Sequence, residues 1–203
     1  MNENIRPIPK RHATTQAAEG LPRLKWTLPE FDRLSELGIF SEDDRIELIG
    51  GELVPMAAKG IAHENVKFAL EDAVLDRLPK TLRVLTELGW RPDADTYCEP
   101  DLLLIRRGYK TLSNVPAPEA LLVIEVADTT LKSDLTTKAA LYARLGVHEY
   151  WVVNAFTRQT HVHRTPSADG YGSVKVRKPG AVLKPHLVPE ITIRMMDLGL
   201  DEA

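Results

Sequence analysis

The chain has 203 residues, 43% hydrophobic and 27% charged, with 26 Lys and Arg against 29 Asp and Glu for a formal charge of −3. This is enough for one domain with a substantial core, and it lacks the basic excess with which nucleic-acid binders displace counterions, so a nucleic-acid role must rest on local basic patches. The single cysteine, Cys98, excludes an internal disulfide and fits a reducing compartment; with no long apolar run or signal-type segment, the simplest expectation is a cytoplasmic protein without a membrane partner.

Residues 1–25 mix Pro7, Pro9, Gly20 and Pro22 with polar and basic residues and show no sustained periodicity, so they read as a flexible arm ahead of one domain over 26–203. Thr27 before Leu28-Pro29-Glu30 predicts a capped helix with Phe31, Leu34 and Leu37 on one face and Gly38 as its stop. Arg45 to Ile49, Gly50-Gly51 and Glu52 to Val54 predict a hairpin, because paired glycines reach the positive φ of a primed turn. From His63 to Leu78 the positions Val66, Ala69, Leu70, Ala73, Val74 and Leu78 predict an amphipathic helix closed by Pro79.

Short strands are expected at Leu82 to Thr86 and Gly89 to Arg91. Two apolar runs follow, Leu102 to Ile105 and Leu121 to Val126, joined by a turn-rich loop over Arg106 to Pro118. The spacing then predicts a helix from Ser133 to Leu145, with Ser133 as cap, Leu135, Ala139, Tyr142 and Ala143 as its stripe and Gly146 as its end. Tyr150 to Val153 is a return strand, making a βαβ-like unit and hence a mixed sheet. Gln159 to Arg164 and Tyr171 to Arg177 flank a second hairpin turn at Pro166 to Gly170.

The chemistry concentrates where acids interrupt the apolar runs. Asp101 stands just before the first and Glu125 lies inside the second, and an unpaired charge in a buried strand costs several kcal/mol or shifts its pKa. Pairing the two strands would bring both carboxylates to one sheet edge, where Asp101, Glu125 and the carbonyl of Val126 make an adequate set for Mg2+ or Mn2+. The structural alternative is that Asp101 caps a turn and Glu125 pairs with an interior cation. Lys138 lies four residues after Asp134, the spacing of a surface ion pair of about 0.3–0.5 kcal/mol, but it also lies close enough to the apolar stripe to reach inward over Glu125.

Other residues carry weaker signals. Glu47 alternates with Ile46 and Leu48 and reads as solvent-facing; His63 reads as a helix-start residue. His161 and His163 share a strand face, as zinc ligands can, without further ligands at matching spacing. Cys98 reads as a packed residue before a nucleophile, and Tyr150 and Trp151 as core aromatics before base-stacking platforms.

Taken together, Pro100-Asp101, Glu125-Val126-Ala127-Asp128-Thr129-Thr130-Leu131, Asp134, Lys138, Tyr142, Gly146-Val147 and Glu149 to Val153 resemble the Uma-two family of restriction endonucleases, in the PD-(D/E)XK nuclease superfamily. The similarity runs from about Leu28 to the last strands and takes in Glu47, Gly51 to Val54 and His63. It implies an α/β fold with a restriction-endonuclease-like mixed β-sheet core flanked by helices and additional β-hairpins. It also implies Asp101 and Glu125 as metal ligands, Glu47 as an auxiliary acid, and His63 and Asp134 as further candidates. The superfamily pattern has a lysine two residues after the second acid; here that position is Ala127, and Lys138 on the next helix is the displaced counterpart.

The leading expectation is a metal-dependent endonuclease that hydrolyses DNA phosphodiesters, with Lys138 positioning water or offsetting charge and Arg106, Arg107 and Lys110 meeting phosphates. The alternatives are a catalytically inactive nuclease-fold module that binds nucleic acid or protein, and a structural protein that pairs as a homodimer through an exposed strand.

Overall fold

The computed structural model describes residues 24–41 and 43–200. The expected arm over 1–25 lies outside this range except for Leu24 and Lys25. The first helix, α1 (Leu28–Glu36), starts at a capping box in which Glu30 accepts from the Thr27 amide and hydroxyl at 2.8 Å. Strands β1 (Ile46–Ile49) and β2 (Glu52–Pro55) form the expected hairpin, with Gly50 at φ +57° and Gly51 at φ +85°. With β4 (Trp90–Asp93) and β5 (Thr96–Cys98) they make a four-stranded antiparallel sheet in the order β2-β1-β5-β4. The three-residue β5 has no counterpart in the sequence reading.

A second sheet has six strands in the order β10-β9-β8-β7-β6-β3. They are β3 (Leu82–Thr86), β6 (Leu102–Arg106), β7 (Leu122–Ala127), β8 (Glu149–Asn154), β9 (Thr160–Ser167) and β10 (Gly170–Arg177). All neighbours run antiparallel except β7 and β8, so the sheet is mixed, as the βαβ spacing predicts. The β9–β10 hairpin is longer than expected: pairing continues to Ser167↔Gly170, and Pro166 sits within β9 beside Thr165 at φ +62°.

Helix α2 (Ile61–Leu75) begins two residues earlier than expected and ends three residues before Leu78. Its start packs closely on Asp128: a Cβ on Gly60 would stand 2.4 Å from Asp128 Oδ2, and that carboxylate would have to move aside. The crossover between β7 and β8 is one continuous helical stretch, α3 (Leu131–Ser133), a π turn (Asp134–Lys138) and α4 (Ala139–Arg144). Ser133 is therefore not the cap; its hydroxyl donates back to Thr130 O at 2.7 Å, while the Thr130 hydroxyl donates to Asp134 Oδ2 at 2.6 Å.

Every residue of β7 is buried, because both sheet faces are covered. On one face Leu102, Leu104, Ile124, Val126, Trp151 and Val153 pack under α2 and the segment from Leu183 to Met195. On the other, Leu103, Ile105, Val123, Ala127, Tyr150 and Val152 pack under α4 and the small sheet through Tyr142, Ile49, Trp90 and Cys98. Strand alternation sends Asp101 and Glu125 to this second face.

Candidate active site

Antiparallel β6 and β7 pair Leu102 with Ile124, so one further step sets Asp101 opposite Glu125. The Val126 amide donates to Asp101 Oδ2 at 2.8 Å, which fixes the aspartate against β7. Lys138 reaches in from the π turn. Its Nζ donates to Glu125 Oε1 at 2.9 Å and to Glu47 Oε1 at 3.2 Å, with no bond to Asp134, so the surface-pair reading of its spacing does not hold. The π turn is the local reason: a widened turn rotates side chains away from their ordinary helical positions, and such turns often mark functional sites.

Glu47 departs from the solvent-facing reading. It is buried at 4% exposure, on the face of β1 that meets Lys138 of the crossover. Its Oε1 also accepts from the Glu99 amide at 3.1 Å. Tyr142 donates to Glu125 Oε1 at 3.1 Å. Glu125 Oε2 has no hydrogen bond among the described residues, and Glu125 lines a cavity of about 310 Å³.

Burial pushes the Glu125 carboxyl up to about 8; the Lys138 charge opposes this, and Asp101, Asp134 and Glu47 add to it. Burial acts on Asp101 in the same sense, but His63, Lys59 and the Val126 amide outweigh it and hold that carboxyl below its ordinary value. Two facing carboxyls are thus pushed apart, a pattern that separates roles in hydrolytic sites. Burial raises Asp134 as well, against Lys138 and the Thr130 hydroxyl. Burial disfavours the Lys138 ammonium, yet Glu125, Glu47 and Asp134 more than compensate and hold it well above the ordinary lysine value.

A second set of charges flanks Asp101. His63 Nε2 lies 3.1 Å from Asp101 Oδ2, and its Nδ1 lies 3.1 Å from Glu64 Oε1. Buried Lys67 donates to Glu64 Oε2 at 2.7 Å and to Glu87 Oε1 at 2.9 Å. Lys59 bridges Glu87 and Asp101 Oδ1, the latter at 3.1 Å. The result is a closed ring, Asp101–His63–Glu64–Lys67–Glu87–Lys59, that immobilises Asp101. Lys59, Glu64, Lys67 and Glu87 are not singled out in the sequence analysis above. The available signal was Lys67, a lysine on the buried stripe of α2 with His63, Leu70 and Val74.

The remaining candidates lie elsewhere. Arg106, Arg107 and Lys110 are exposed at the other end of β6, where Arg106 pairs across the ladder with Leu82 and faces Glu119 at 3.8 Å. They are not brought to the cavity, because they stand at and beyond the end of β6 opposite Asp101. Cys98 is fully buried beside Tyr142, and burial pushes its thiol up, the opposite of an activated nucleophile. His163 packs among Tyr150 and Tyr171, and burial lowers both His163 and His161.

The cavity is lined by seven carboxylates, Glu47, Glu52, Glu99, Asp101, Glu125, Asp128 and Asp134, against Lys59, Lys138 and His63. That excess of hard oxygen donors suits a divalent cation such as magnesium, which takes one or two carboxylates and keeps several waters. Among the described residues no group of three or more His, Cys, Asp or Glu side chains is gathered as a ready-made metal cluster. Asp101, the open oxygen of Glu125 and the Val126 carbonyl nevertheless have the right chemistry, so the residues fit such an ion.

The sequence matches the family model Uma2, described as "Putative restriction endonuclease", over residues 28–196. Against curated proteins there is no match. Among solved structures, one from Anabaena variabilis described as "a putative nuclease belonging to DUF820" superposes with a TM-score of 0.68 at 17% identity, covering 85% of this chain and 96% of that one. The type IIG restriction endonuclease BpuSI aligns at 16% identity over 54% of this chain and 12% of its own, with a TM-score of 0.35 that is too low to bear on the fold. The shared fold with the cyanobacterial protein agrees with a restriction-endonuclease-like α/β core. Among the described residues no helix is long and apolar enough to cross a membrane.

Proposed function

The chain belongs to the Uma2 family, and we propose that residues 26–203 act as one unit, a divalent-metal-dependent endonuclease that hydrolyses DNA phosphodiester bonds. One observation carries the reading: Lys138 Nζ stands 2.9 Å from Glu125 Oε1, over a strand whose own lysine position is Ala127. An ammonium thus faces the second acid without being attached to its strand.

Asp101, Glu125 and the Val126 carbonyl would hold the ion. When bound, such an ion offsets charge on a phosphate oxygen and makes nearby water more acidic. The chain's own groups do the rest. Lys138 is kept charged by Glu125 and Glu47 and is placed to orient water or to stabilise charge that develops on the phosphoryl group. Glu47 fixes the ammonium from its far side. The ring through His63 and Lys59 holds Asp101 ionised and in one orientation, so little reorganisation is needed at reaction. The Thr130 hydroxyl holds the Asp134 carboxylate within the first turn of the crossover, on the cavity wall.

A second reading, a nuclease-fold binding module without catalysis, is favoured by Lys59, which takes the Asp101 Oδ1 position that an ion would use. Cleavage of supercoiled plasmid and single-stranded DNA with Mg2+ or Mn2+, against chelator and Asp101→Ala, decides between them. Metal-dependent nicking that is lost in chelator and in the variant supports the enzyme; DNA binding without cleavage supports the module.

A further inference from the structure

The two acids of the corner differ in what their oxygens leave available. Glu125 shares Oε1 between Lys138 and Tyr142 and keeps Oε2 open to the cavity. Asp101 has no such opening. Its Oδ2 accepts from the Val126 amide at 2.8 Å and faces His63 Nε2 at 3.1 Å, and the remaining oxygen, Oδ1, is held by Lys59 Nζ at 3.1 Å. A carboxylate at 2% exposure needs partner charges, and Lys59 supplies one from the cavity wall.

Lys59 is fastened in a way that lets it leave. It belongs to the stretch 56–60 between β2 and α2, where Ala57 and Ala58 are exposed. Among the described residues the amides of Ala57, Ala58 and Lys59 donate no hydrogen bond, so the lysine is tied down at its tip and not through its backbone. Segments of that kind open at low cost. The tip also has a second post. Glu87 accepts from Lys59 and, at 2.9 Å, from Lys67, which is itself buried and donates to Glu64 at 2.7 Å. Lys67 therefore keeps Glu87 in place whether or not Lys59 stays on Asp101, and Asp101 in turn keeps the Val126 amide and His63. Only one link of the ring, Lys59 to Asp101, has to open for Oδ1 to become free.

We infer that Lys59 is a displaceable counter-ion, which neutralises Asp101 in the metal-free protein and yields Oδ1 to the divalent cation, and so sets how weakly the corner binds that ion. The inference rests on the metal site proposed above. Two cations drawn to one carboxylate oxygen in a corner shielded from water repel each other, so the lysine either withdraws towards Glu87 or weakens the ion's hold while it stays. In both cases its charge counts against the ion. A lysine that merely oriented Asp101 would have the opposite sign: it would help the ion, and its loss would weaken binding. On this account the ammonium on Oδ1 is the resting state of an ion site.

The test is calorimetric titration of Mn2+ into the parent, Lys59→Met, Lys59→Gln and Lys59→Arg at neutral pH. Lys59→Met keeps an unbranched stem without charge, and Lys59→Gln also keeps an N–H donor. Both should bind Mn2+ more tightly than the parent by about tenfold or more, the scale of one nearby like charge discounted for partial screening. Lys59→Arg, which keeps the charge, should bind no more tightly than the parent. Urea unfolding reads the same linkage independently. In chelator the two neutral variants should unfold at a lower midpoint than the parent, and one Mn2+ concentration should raise their midpoints by more than the parent's. Should Lys59→Met fail to fold, Lys59→Gln carries the test. Equal or weaker Mn2+ binding in the neutral variants overturns the inference and leaves Lys59 a structural partner of Asp101, with the nuclease reading untouched. Saturable Mn2+ binding in none of the four proteins overturns it together with the metal site. Tighter binding in the neutral variants, with no DNA cleavage by the parent, removes the enzyme reading and leaves the counter-ion standing.

Discussion

Glu125 and Glu149 lie on neighbouring strands, both almost wholly buried, and differ in what their oxygens meet. Glu149 accepts from Trp151 Nε1 at 2.6 Å and Arg164 Nη2 at 2.7 Å on one oxygen and from the His186 amide at 2.7 Å on the other. Both oxygens are used, and the donors come from β8, β9 and the C-terminal segment, so the carboxylate staples three parts of the chain together. Glu125 has Lys138 and Tyr142 on one oxygen only; the other opens to a cavity crowded with further carboxylates. Burial alone therefore does not mark function. Within this pair, Glu149 has both oxygens filled by fixed donors and is structural, while Glu125 is held among like charges with an oxygen left open and awaits a cation.

The comparison breaks most sharply under substitution. Glu125→Gln or Asp101→Asn should cut metal-dependent cleavage to below about a thousandth, roughly 4 kcal/mol in barrier, while urea unfolding stays cooperative, with an unchanged or higher midpoint in Glu125→Gln, where like-charge repulsion is relieved, and a lower one in Asp101→Asn, which loses its pairing with Lys59 and His63. Glu149→Ala should do the reverse, losing about 3 kcal/mol or more of stability by orphaning three donors. Should Glu149→Ala unfold outright, Glu149→Gln, which keeps one acceptor oxygen, gives the smaller loss. If both sites lose stability equally, the distinction fails.

Lys138→Ala comes next, with an expected loss of about 10² in cleavage rate and little change in metal affinity. Lys138→Arg should recover poorly, since a planar guanidinium does not replace a compact ammonium between Glu125 and Glu47. Parental rates in both variants would remove the lysine from the chemistry.

The sequence made some of this corner readable. Asp101 and Glu125 stood out because carboxylates interrupt otherwise unbroken apolar runs, and alternation then put them on one face. Lys138 was legible only as an ambiguity, since its helical spacing allowed both a surface pair and an inward reach; the π turn that decides it has no sequence signature. The ring around Asp101 was hidden for another reason. Lys59 sits in an irregular loop and Glu87 at a strand end with φ +51°, and neither position has a period from which a partner could be inferred. Glu47 is illegible in the sequence because alternation tells which residues share a face but not which face the rest of the chain covers, here with Lys138 of the crossover.

A pH titration of stability in chelator sharpens the comparison further. The folded Glu125 carboxyl titrates near 8, above its ordinary value of 4.5 in the unfolded chain. In that window the unfolded state has released the proton that the native state keeps, so the contribution of Glu125 falls as pH rises from about 4.5 to about 8, by at most about 1.4 kcal/mol per pH unit, and is level above. The parent minus Glu125→Gln difference should show this decline; a flat difference contradicts the assigned environment. The smallest effect is expected at the opposite end of β6. Arg106→Ala, Arg107→Ala and Lys110→Ala should each change DNA affinity in anisotropy by well under about 0.5 kcal/mol, as exposed residues remote from the site.

The most direct measurement is a calorimetric titration of Mn2+ into the parent and into Glu125→Gln, both folded and at neutral pH. An open, cation-seeking carboxylate corner predicts saturable binding to the parent that is lost in Glu125→Gln. Equal binding to both proteins would contradict it, placing the ion elsewhere and leaving Glu125 a buried acid like Glu149.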